Sequence, residues 1–102
     1  MGTYIKVAKV GDLAENSSKP IKINGSSIAL IRTKDKHYAI ANECTHVGGP
    51  MCEGPIVGDQ VVCPWHGAVF NYTTGQAIAG PTRGDLKVYA VRLVGDDIEI
   101  KI

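Results

Sequence analysis

The sequence lacks both a long hydrophobic run and a strong charge of either sign. No stretch of apolar residues exceeds six, far short of the roughly 20 that a helix needs to cross a bilayer. Eleven basic residues oppose ten acidic ones, which leaves a formal net charge of +1 and indicates neither nucleic-acid binding nor long-range attraction of a charged partner. The first residues alternate as in a strand and contain no signal-peptide core, so we expect a cytoplasmic protein that recognises partners through local contacts.

Cysteine and histidine are scarce, with three of each in 102 residues. An odd number of cysteines excludes a fully paired disulfide framework within one chain. The sequence also has no Gly-x-Gly-x-x-Gly motif, so it has no recognisable means of binding a nicotinamide dinucleotide and taking hydride from it. We therefore expect neither a disulfide-stabilised secreted domain nor a nicotinamide-dependent enzyme.

Two short segments each pair a cysteine with a histidine. They read Cys44-Thr45-His46 and Cys63-Pro64-Trp65-His66, and sixteen residues separate them. Thiolate is a soft metal ligand and neutral imidazole a borderline one, so two of each indicate an iron–sulfur cluster or zinc. In an extended loop, residues two apart lie about 6.8 Å apart along the chain and point the same way, so the first pair can reach neighbouring atoms of one centre. The spacing of the second pair suits a tight turn.

The same four ligands also occur in Cys2His2 zinc sites, which serve stability rather than redox chemistry. Zinc modules usually space two cysteines as Cys-x2-4-Cys and two histidines as His-x3-5-His, whereas each segment here has one of each. Glycines follow both segments, at Gly48, Gly49 and Gly67, and allow the backbone to curl round inorganic sulfides and direct N–H groups at them. The arrangement favours a binuclear cluster, with zinc as the alternative.

Cys-x-His followed at this distance by Cys-x-x-His-Gly resembles the Rieske-type [2Fe-2S] ferredoxins, in particular those associated with dioxygenases. The stretches 44–49 and 63–67 are similar to the two cluster-binding loops of that family, and Gly80-Pro81 to its third, proline-bearing loop. The resemblance implies one [2Fe-2S] cluster per chain, with cysteines on one iron and histidines on the other. The ligands that it implies are Cys44 and Cys63 for the first iron, and His46 and His66 for the second.

Apolar residues recur with a period of two, and glycine, asparagine and aspartate interrupt the runs, which is typical of an all-β domain. The resemblance implies a Rieske-like antiparallel β-sandwich over residues 1–102, in which about residues 42–79 form a small cluster-binding subdomain of two glycine-rich hairpin loops. Asn24-Gly25 predicts a type I′ hairpin and Gly95-Asp96 a similar turn. The predicted strands are Tyr4 to Val7, Ile21 to Ile23, Ser27 to Thr33, His37 to Ala41, Gln60 to Cys63, Ala68 to Asn71, Lys87 to Leu93 and Ile98 to Ile102.

The function implied by the resemblance is that of a soluble, monomeric one-electron carrier between a flavin-dependent reductase and a terminal oxygenase. With two of its three histidines committed to a cluster, the chain cannot build a separate two-histidine, one-carboxylate site for oxygen activation, so we expect no enzyme activity of its own. Two alternatives stay open. The first alternative is a Rieske-like small subunit of a larger reductase, such as nitrite reductase. The second is a structural zinc module.

Several residues near the two segments bear on the reduction potential of the cluster and on the docking of a redox partner. High-potential Rieske proteins typically have serine and tyrosine where this chain has Ala68 and Phe70, so two hydroxyl donors that stabilise a reduced cluster are missing. We therefore expect a potential toward the low end of roughly −150 to +300 mV. Trp65 either shields the cluster, forms a docking surface or belongs to the core. We expect Cys52 and His37 to be structural residues.

Overall fold

The computed structural model describes residues 3–33, 36–43, 50–65, 67–80 and 84–101. Within these ranges the chain forms short strands and two 3₁₀ helices, Val10–Asp12 and Met51–Glu53, and the all-β prediction is confirmed. None of the helices in these ranges is long or apolar enough to cross a membrane. The strands are β1 (Tyr4–Lys9), β2 (Ser17–Ile23), β3 (Ser26–Thr33), β4 (Lys36–Ala41), β5 (Ile56–Val57), β6 (Gln60–Val62), β7 (Val69–Asn71), β8 (Ala77–Ala79), β9 (Val88–Tyr89), β10 (Val91–Val94) and β11 (Asp97–Lys101).

The strands form three antiparallel sheets. The base sheet has the order β1-β11-β10, the central sheet β2-β3-β4-β9 and the site sheet β5-β6-β7-β8. Two groups of buried side chains hold them together. The base core consists of Ala8, Leu13, Ile28, Leu30, Ala39, Ile98 and Ile100. The site core consists of Ala29, Ile31, Ile40, Met51, Val61, Cys63, Ala68, Phe70, Tyr72 and Leu86.

Strand β3 is buried on both faces. Successive side chains of a strand point to opposite faces, so Ile28 and Leu30 enter the base core while Ala29 and Ile31 enter the site core. All four are fully buried. The central sheet therefore lies between the base sheet and the site sheet, and one apolar run in the sequence supplies both cores.

The prediction of one strand from Lys87 to Leu93 is wrong. Strand β9 ends at Tyr89 and β10 begins at Val91, and the two strands belong to different sheets. The first pairs with β4 in the central sheet, whereas the second pairs with β11 in the base sheet. The chain passes from one sheet to the other at Ala90, without a glycine or proline, so the alternation of residue types continues through the bend.

Smaller differences concern strand lengths. Strand β2 begins at Ser17, four residues before the predicted start at Ile21, because an edge strand can consist of exposed polar residues. It includes Pro20, which has no N–H to donate and is tolerated at a sheet edge. Strands β5 and β8 were not predicted, since two or three residues are too few to show a period. The predicted strand end at Ile102 lies outside the described residues.

The two predicted hairpin turns are present. Asn24 and Gly25, between β2 and β3, have φ values of 50° and 82°, and a type I′ turn needs a positive φ at both positions. At the turn between β10 and β11, Gly95 has a φ of 60°, while Asp96 has no positive φ. This second turn therefore follows the type II′ pattern rather than type I′.

The two-core arrangement predicts a large difference between two leucine substitutions. Leu30 is fully buried in the base core, whereas Leu93 is 48% exposed. Leu30→Ala should lower the free energy of unfolding by about 2–5 kcal/mol, because it removes buried methyl groups and leaves a cavity. Leu93→Ala should change it by less than about 0.5 kcal/mol. Chemical denaturation followed by circular dichroism measures both, and equal losses would contradict the assignment of Leu30 to a packed core.

Candidate metal centre

The structure describes one of the four predicted metal ligands, Cys63. The other three, Cys44, His46 and His66, lie outside the described residues, as do Gly48, Gly49 and Pro81. Cys63 is 1% exposed and follows β6 directly. In the part of the chain that the structure describes, no three Cys, His, Asp or Glu residues gather in a group that could hold a metal ion. The structure therefore shows the frame on which the two ligand-bearing segments are mounted.

The second segment is closed at its base by two backbone hydrogen bonds. The N–H of Cys63 donates to the carbonyl of Ala68 at 2.7 Å, and the N–H of Gly67 donates to the carbonyl of Cys63 at 3.1 Å. Gly67 has a φ of 77°, a conformation that side-chain-bearing residues rarely adopt. Cys63 therefore begins a tight turn between β6 and β7, as its spacing from His66 predicts.

The base of the first segment is closed in a similar way. An isolated antiparallel bridge joins Glu43 to Pro50, and the N–H of Met51 donates to the carbonyl of Asn42 at 2.7 Å. The N–H of Asn42 in turn donates to the carbonyl of Ser27 at the start of β3, at 3.0 Å. The described residues on the two sides of stretch 44–49 thus lie next to each other and are attached to the central sheet.

A close backbone contact joins the two bases. Gly54 follows the 3₁₀ helix after the first segment, and a Cβ atom at this position would overlap the carbonyl oxygen of Val62. The N–H of Val62 also donates to the carbonyl of Pro55 at 3.1 Å. Val62 immediately precedes Cys63. The chain leaving the first segment is therefore fixed against the strand that leads into the second one.

A third stretch of chain reaches the same place. Gly80 follows β8 with a φ of 83°, and a Cβ atom there would lie 2.8 Å from the Cα of Ala68 and 3.0 Å from the carbonyl oxygen of Gly67. Only glycine fits such an approach. The predicted proline-bearing loop therefore starts against the base of the second segment, although Pro81 lies outside the described residues.

The side chains round this frame are apolar. Ala68 and Phe70 are fully buried in the site core together with Cys63 and Met51, so both have a packing role. Neither side chain carries a hydroxyl group that could donate a hydrogen bond. Trp65, in the turn after Cys63, is 58% exposed, which excludes the prediction that it belongs to the core. Its ring is available for shielding or docking.

The two residues predicted to be structural occupy positions that agree with that role. Cys52 is half-buried, and burial raises the pKa of its thiol; a hydrogen bond with Asn42 opposes this and the charge of Glu53 adds to it. His37 is half-buried on β4 opposite Arg32, and its buried ring nitrogens have no hydrogen-bond partner among the described residues. Burial and, to a lesser extent, the charge of Arg32 lower the pKa of His37, which disfavours the charged form of its ring.

The described residues fit a metal cluster bound between the two segments. A buried thiol stands at the base of the second segment, and the Gly54–Val62 contact holds the base of the first segment beside it. A set of two thiols and two imidazoles, as the sequence of the two segments offers, suits an iron–sulfur cluster with histidine on one iron. Apolar side chains such as Phe70 limit solvent access to such a centre.

Comparison with known proteins gives consistent results. Residues 3–90 match the family model described as the Rieske [2Fe-2S] domain. The ferredoxin component of the naphthalene 1,2-dioxygenase/salicylate 5-hydroxylase systems of Ralstonia sp is 32% identical over 99 residues, which cover 97% of this chain and 95% of that protein. The likeness thus extends over nearly the whole of that relative.

Solved structures share the fold. The ferredoxin of carbazole 1,9a-dioxygenase from Nocardioides aromaticivorans IC177 superposes with a TM-score of 0.91 at 26% identity, over 96% of each chain. A chain from a complex of reduced oxygenase and oxidized ferredoxin in carbazole 1,9a-dioxygenase gives a TM-score of 0.89 at 28% identity, over 95% of this chain and 91% of that one.

The close contact at Gly54 predicts that one added methyl group at this position lowers the iron content of the protein. Gly54→Ala should force the chain after the first segment away from Val62 and lower the iron bound per purified chain by at least about half, because the bases of the two segments would no longer lie against each other. Gly11→Ala is the matched control, since nothing lies within 4 Å of a Cβ atom there. Iron analysis of both purified variants checks this; full iron in Gly54→Ala would mean that the contact does not align the segments.

Proposed function

Because the chain belongs to the Rieske [2Fe-2S] domain family, we propose that it is a carrier that passes one electron at a time to the terminal oxygenase of a dioxygenase system. The observation that carries this proposal is the extent of the likeness to a ferredoxin component, which covers 97% of this chain and 95% of that relative. In this relative the likeness covers nearly the whole of a ferredoxin component rather than one module of a larger enzyme. The chain acts as an electron-transfer protein, without a catalytic site of its own.

The proposed ligands are those implied by the sequence motifs. Cys44 and Cys63 would hold one iron and His46 and His66 the other, within a single domain whose cluster-binding part spans about residues 42–79. The buried position of Cys63 and the joined bases of the two segments support this assignment. When bound, the [2Fe-2S] cluster supplies a centre that accepts and releases one electron.

The chain's own residues would set the surroundings of that centre. Ala68, Phe70 and Met51 are fully buried round Cys63, so they exclude water on the side of the site core. None of the three offers a hydroxyl group that could donate a hydrogen bond to sulfur. Fewer such donors leave the reduced, more negative form less stabilised, which lowers the potential.

The surface for electron exchange would lie at the second segment. Trp65 is 58% exposed and stands between two proposed ligands in the sequence. From residue 60 to residue 80 the sequence has no Asp, Glu, Lys or Arg, so this side offers apolar and uncharged polar groups to a partner. The proposed acceptor is a terminal oxygenase, which a related ferredoxin meets in a solved complex. The proposed donor is a flavin-dependent reductase.

Two further parts of the proposal concern assembly and location. A carrier must leave one partner to reach the next, so we propose a monomer of 10.9 kDa. A fixed small subunit of a larger reductase, such as nitrite reductase, would instead elute with its complex in size-exclusion chromatography. We propose a cytoplasmic location, which the odd cysteine number supports, since thiols stay reduced there.

Electron paramagnetic resonance of the purified protein, with iron and sulfide counted on the same sample, tests the carrier chemistry. We expect no signal before reduction and a rhombic signal after dithionite, with about two irons and two sulfides per chain. Cys63→Ser should abolish the signal, while Cys52→Ser, the matched control, should retain it. His66→Ala and His37→Ala form a second matched pair with the same expectation. Stoichiometric zinc without iron would refute the proposal in favour of the zinc module.

A serine at position 68 should raise the reduction potential. The hydroxyl of Ala68→Ser would add a donor beside the second segment, and a hydrogen bond that favours the reduced form by about 1.4 kcal/mol shifts a one-electron potential by about 59 mV. Ala90→Ser, at an exposed position between β9 and β10, is the control and should leave the potential unchanged. Redox titration measures both variants against the unsubstituted protein, whose potential we expect toward the low end of roughly −150 to +300 mV. A midpoint of the unsubstituted protein well above zero would contradict this account.

A further inference from the structure

Asn42 combines burial and hydrogen bonding in a way that sequence analysis did not single out. It is 8% exposed, and among the described residues it is the one polar or charged residue that is buried. It follows β4 directly and precedes the first ligand-bearing segment. A buried amide is costly unless its donor and acceptor are both satisfied, so its partners indicate what it does.

Both ends of the Asn42 side chain are used. Its Oδ1 atom accepts a hydrogen bond from the N–H of Cys52 at 2.8 Å, and its Nδ2 atom donates to the Oγ of Ser27 at 3.1 Å. Its backbone carbonyl accepts from the N–H of Met51 at 2.7 Å. One residue therefore links the chain entering the first segment to the chain leaving it, and attaches both to β3.

The chain that leaves the segment is also held from a second side. The Oγ of Ser18 on β2 donates to the carbonyl of Cys52 at 2.6 Å. Asn42 and Ser18 thus fix the N–H and the carbonyl of the same residue. The ends of stretch 44–49 are tied to two strands of the central sheet rather than to solvent-exposed loops.

We propose that Asn42 is a positioning residue of the metal centre, whose side chain closes the first segment and so keeps Cys44 and His46 in the arrangement that retains iron. This inference rests on the proposed function, because it assumes that these two residues are ligands. A positioning residue acts through the ligands rather than by touching the metal. Loss of such an outer contact typically reduces metal affinity by 10–100-fold.

The role needs a side chain that bonds to the Cys52 N–H and to the Ser27 hydroxyl at the same time. The Cys52 N–H requires an acceptor, and the Ser27 hydroxyl accepts a donated hydrogen bond. The amide of Asn42 has an acceptor oxygen and a donor nitrogen at the same distance from the backbone, so it bonds to both. Asn42→Leu keeps a similar volume but leaves the Cys52 N–H unpaired. Asn42→Asp keeps the acceptor for Cys52, and the Ser27 hydroxyl can reverse and donate to the carboxylate.

The test measures how fast the folded, cluster-loaded protein releases iron to an excess of ferrous chelator, at a temperature below unfolding. We expect release about tenfold faster from Asn42→Leu than from the unsubstituted protein, and within about threefold of it from Asn42→Asp. Amide hydrogen exchange should show faster exchange at Met51 and Cys52 in the leucine variant. If the leucine variant does not fold, Asn42→Ser replaces it, since a serine side chain is too short to make both bonds.

Leu30→Ala separates positioning from general loss of stability. It weakens the base core, which lies on the opposite face of β3 from the site core. Its iron release should stay within about twofold of the unsubstituted protein while it remains folded. Equal release from Asn42→Leu and Leu30→Ala, at matched distance from their unfolding midpoints, would overturn the proposal and leave Asn42 a stabilising residue only.

The two proposals fail in different ways. An unsubstituted protein without iron would refute the proposed function, and the positioning role with it. An unsubstituted protein with two irons, whose Asn42 variants release them at the original rate, would refute the positioning role alone and leave the carrier function intact. The exchange of the Cys52 amide reports the Asn42 hydrogen bond independently of the cluster.

Discussion

Strand β3 has to fit two cores at once, and the position of the other sheets depends on it. Ile28 and Leu30 enter the base core, while Ala29 and Ile31 enter the site core. A slip of one residue against its neighbours would exchange the two sets, placing a small alanine where a leucine packs and the reverse. Cavities and overlaps would result on both faces together. The register of the central sheet is therefore determined from two sides.

The same sheet determines where the metal centre can form. Strand β4 ends beside Asn42, whose N–H bonds to Ser27 of β3, and Gly54 brings the returning chain against Val62 of β6. The two segments that contain cysteine and histidine thus adjoin elements that pack in the buried cores. A site built on rigid elements keeps its geometry better than one built on free loops. For an electron carrier, firmly held attachment points reduce the rearrangement of the site when the charge of the centre changes.

The sequence predicted the metal chemistry and the family better than it predicted how the strands connect and pair. The paired thiols and imidazoles and the period of two depend on local residue types, so the family and the all-β class followed from them. The passage between sheets at Ala90 and the short strands β5 and β8 did not, because they depend on long-range pairing and leave no turn residue or period. The role of Asn42 was also invisible, since an asparagine after a strand is ordinary turn chemistry until its burial is known.

The pairing of β1 with β11 brings together strands from opposite ends of the chain, with Tyr4 opposite Lys101. During synthesis on the ribosome, β11 emerges after the strands of the central and site sheets. Until then the base core lacks Ile98 and Ile100, and the face of β3 that bears Ile28 is uncovered. The site sheet, by contrast, pairs neighbours in sequence, and β11 is not one of its strands. A nascent chain thus has its metal-binding half in place while an apolar face still requires protection from aggregation.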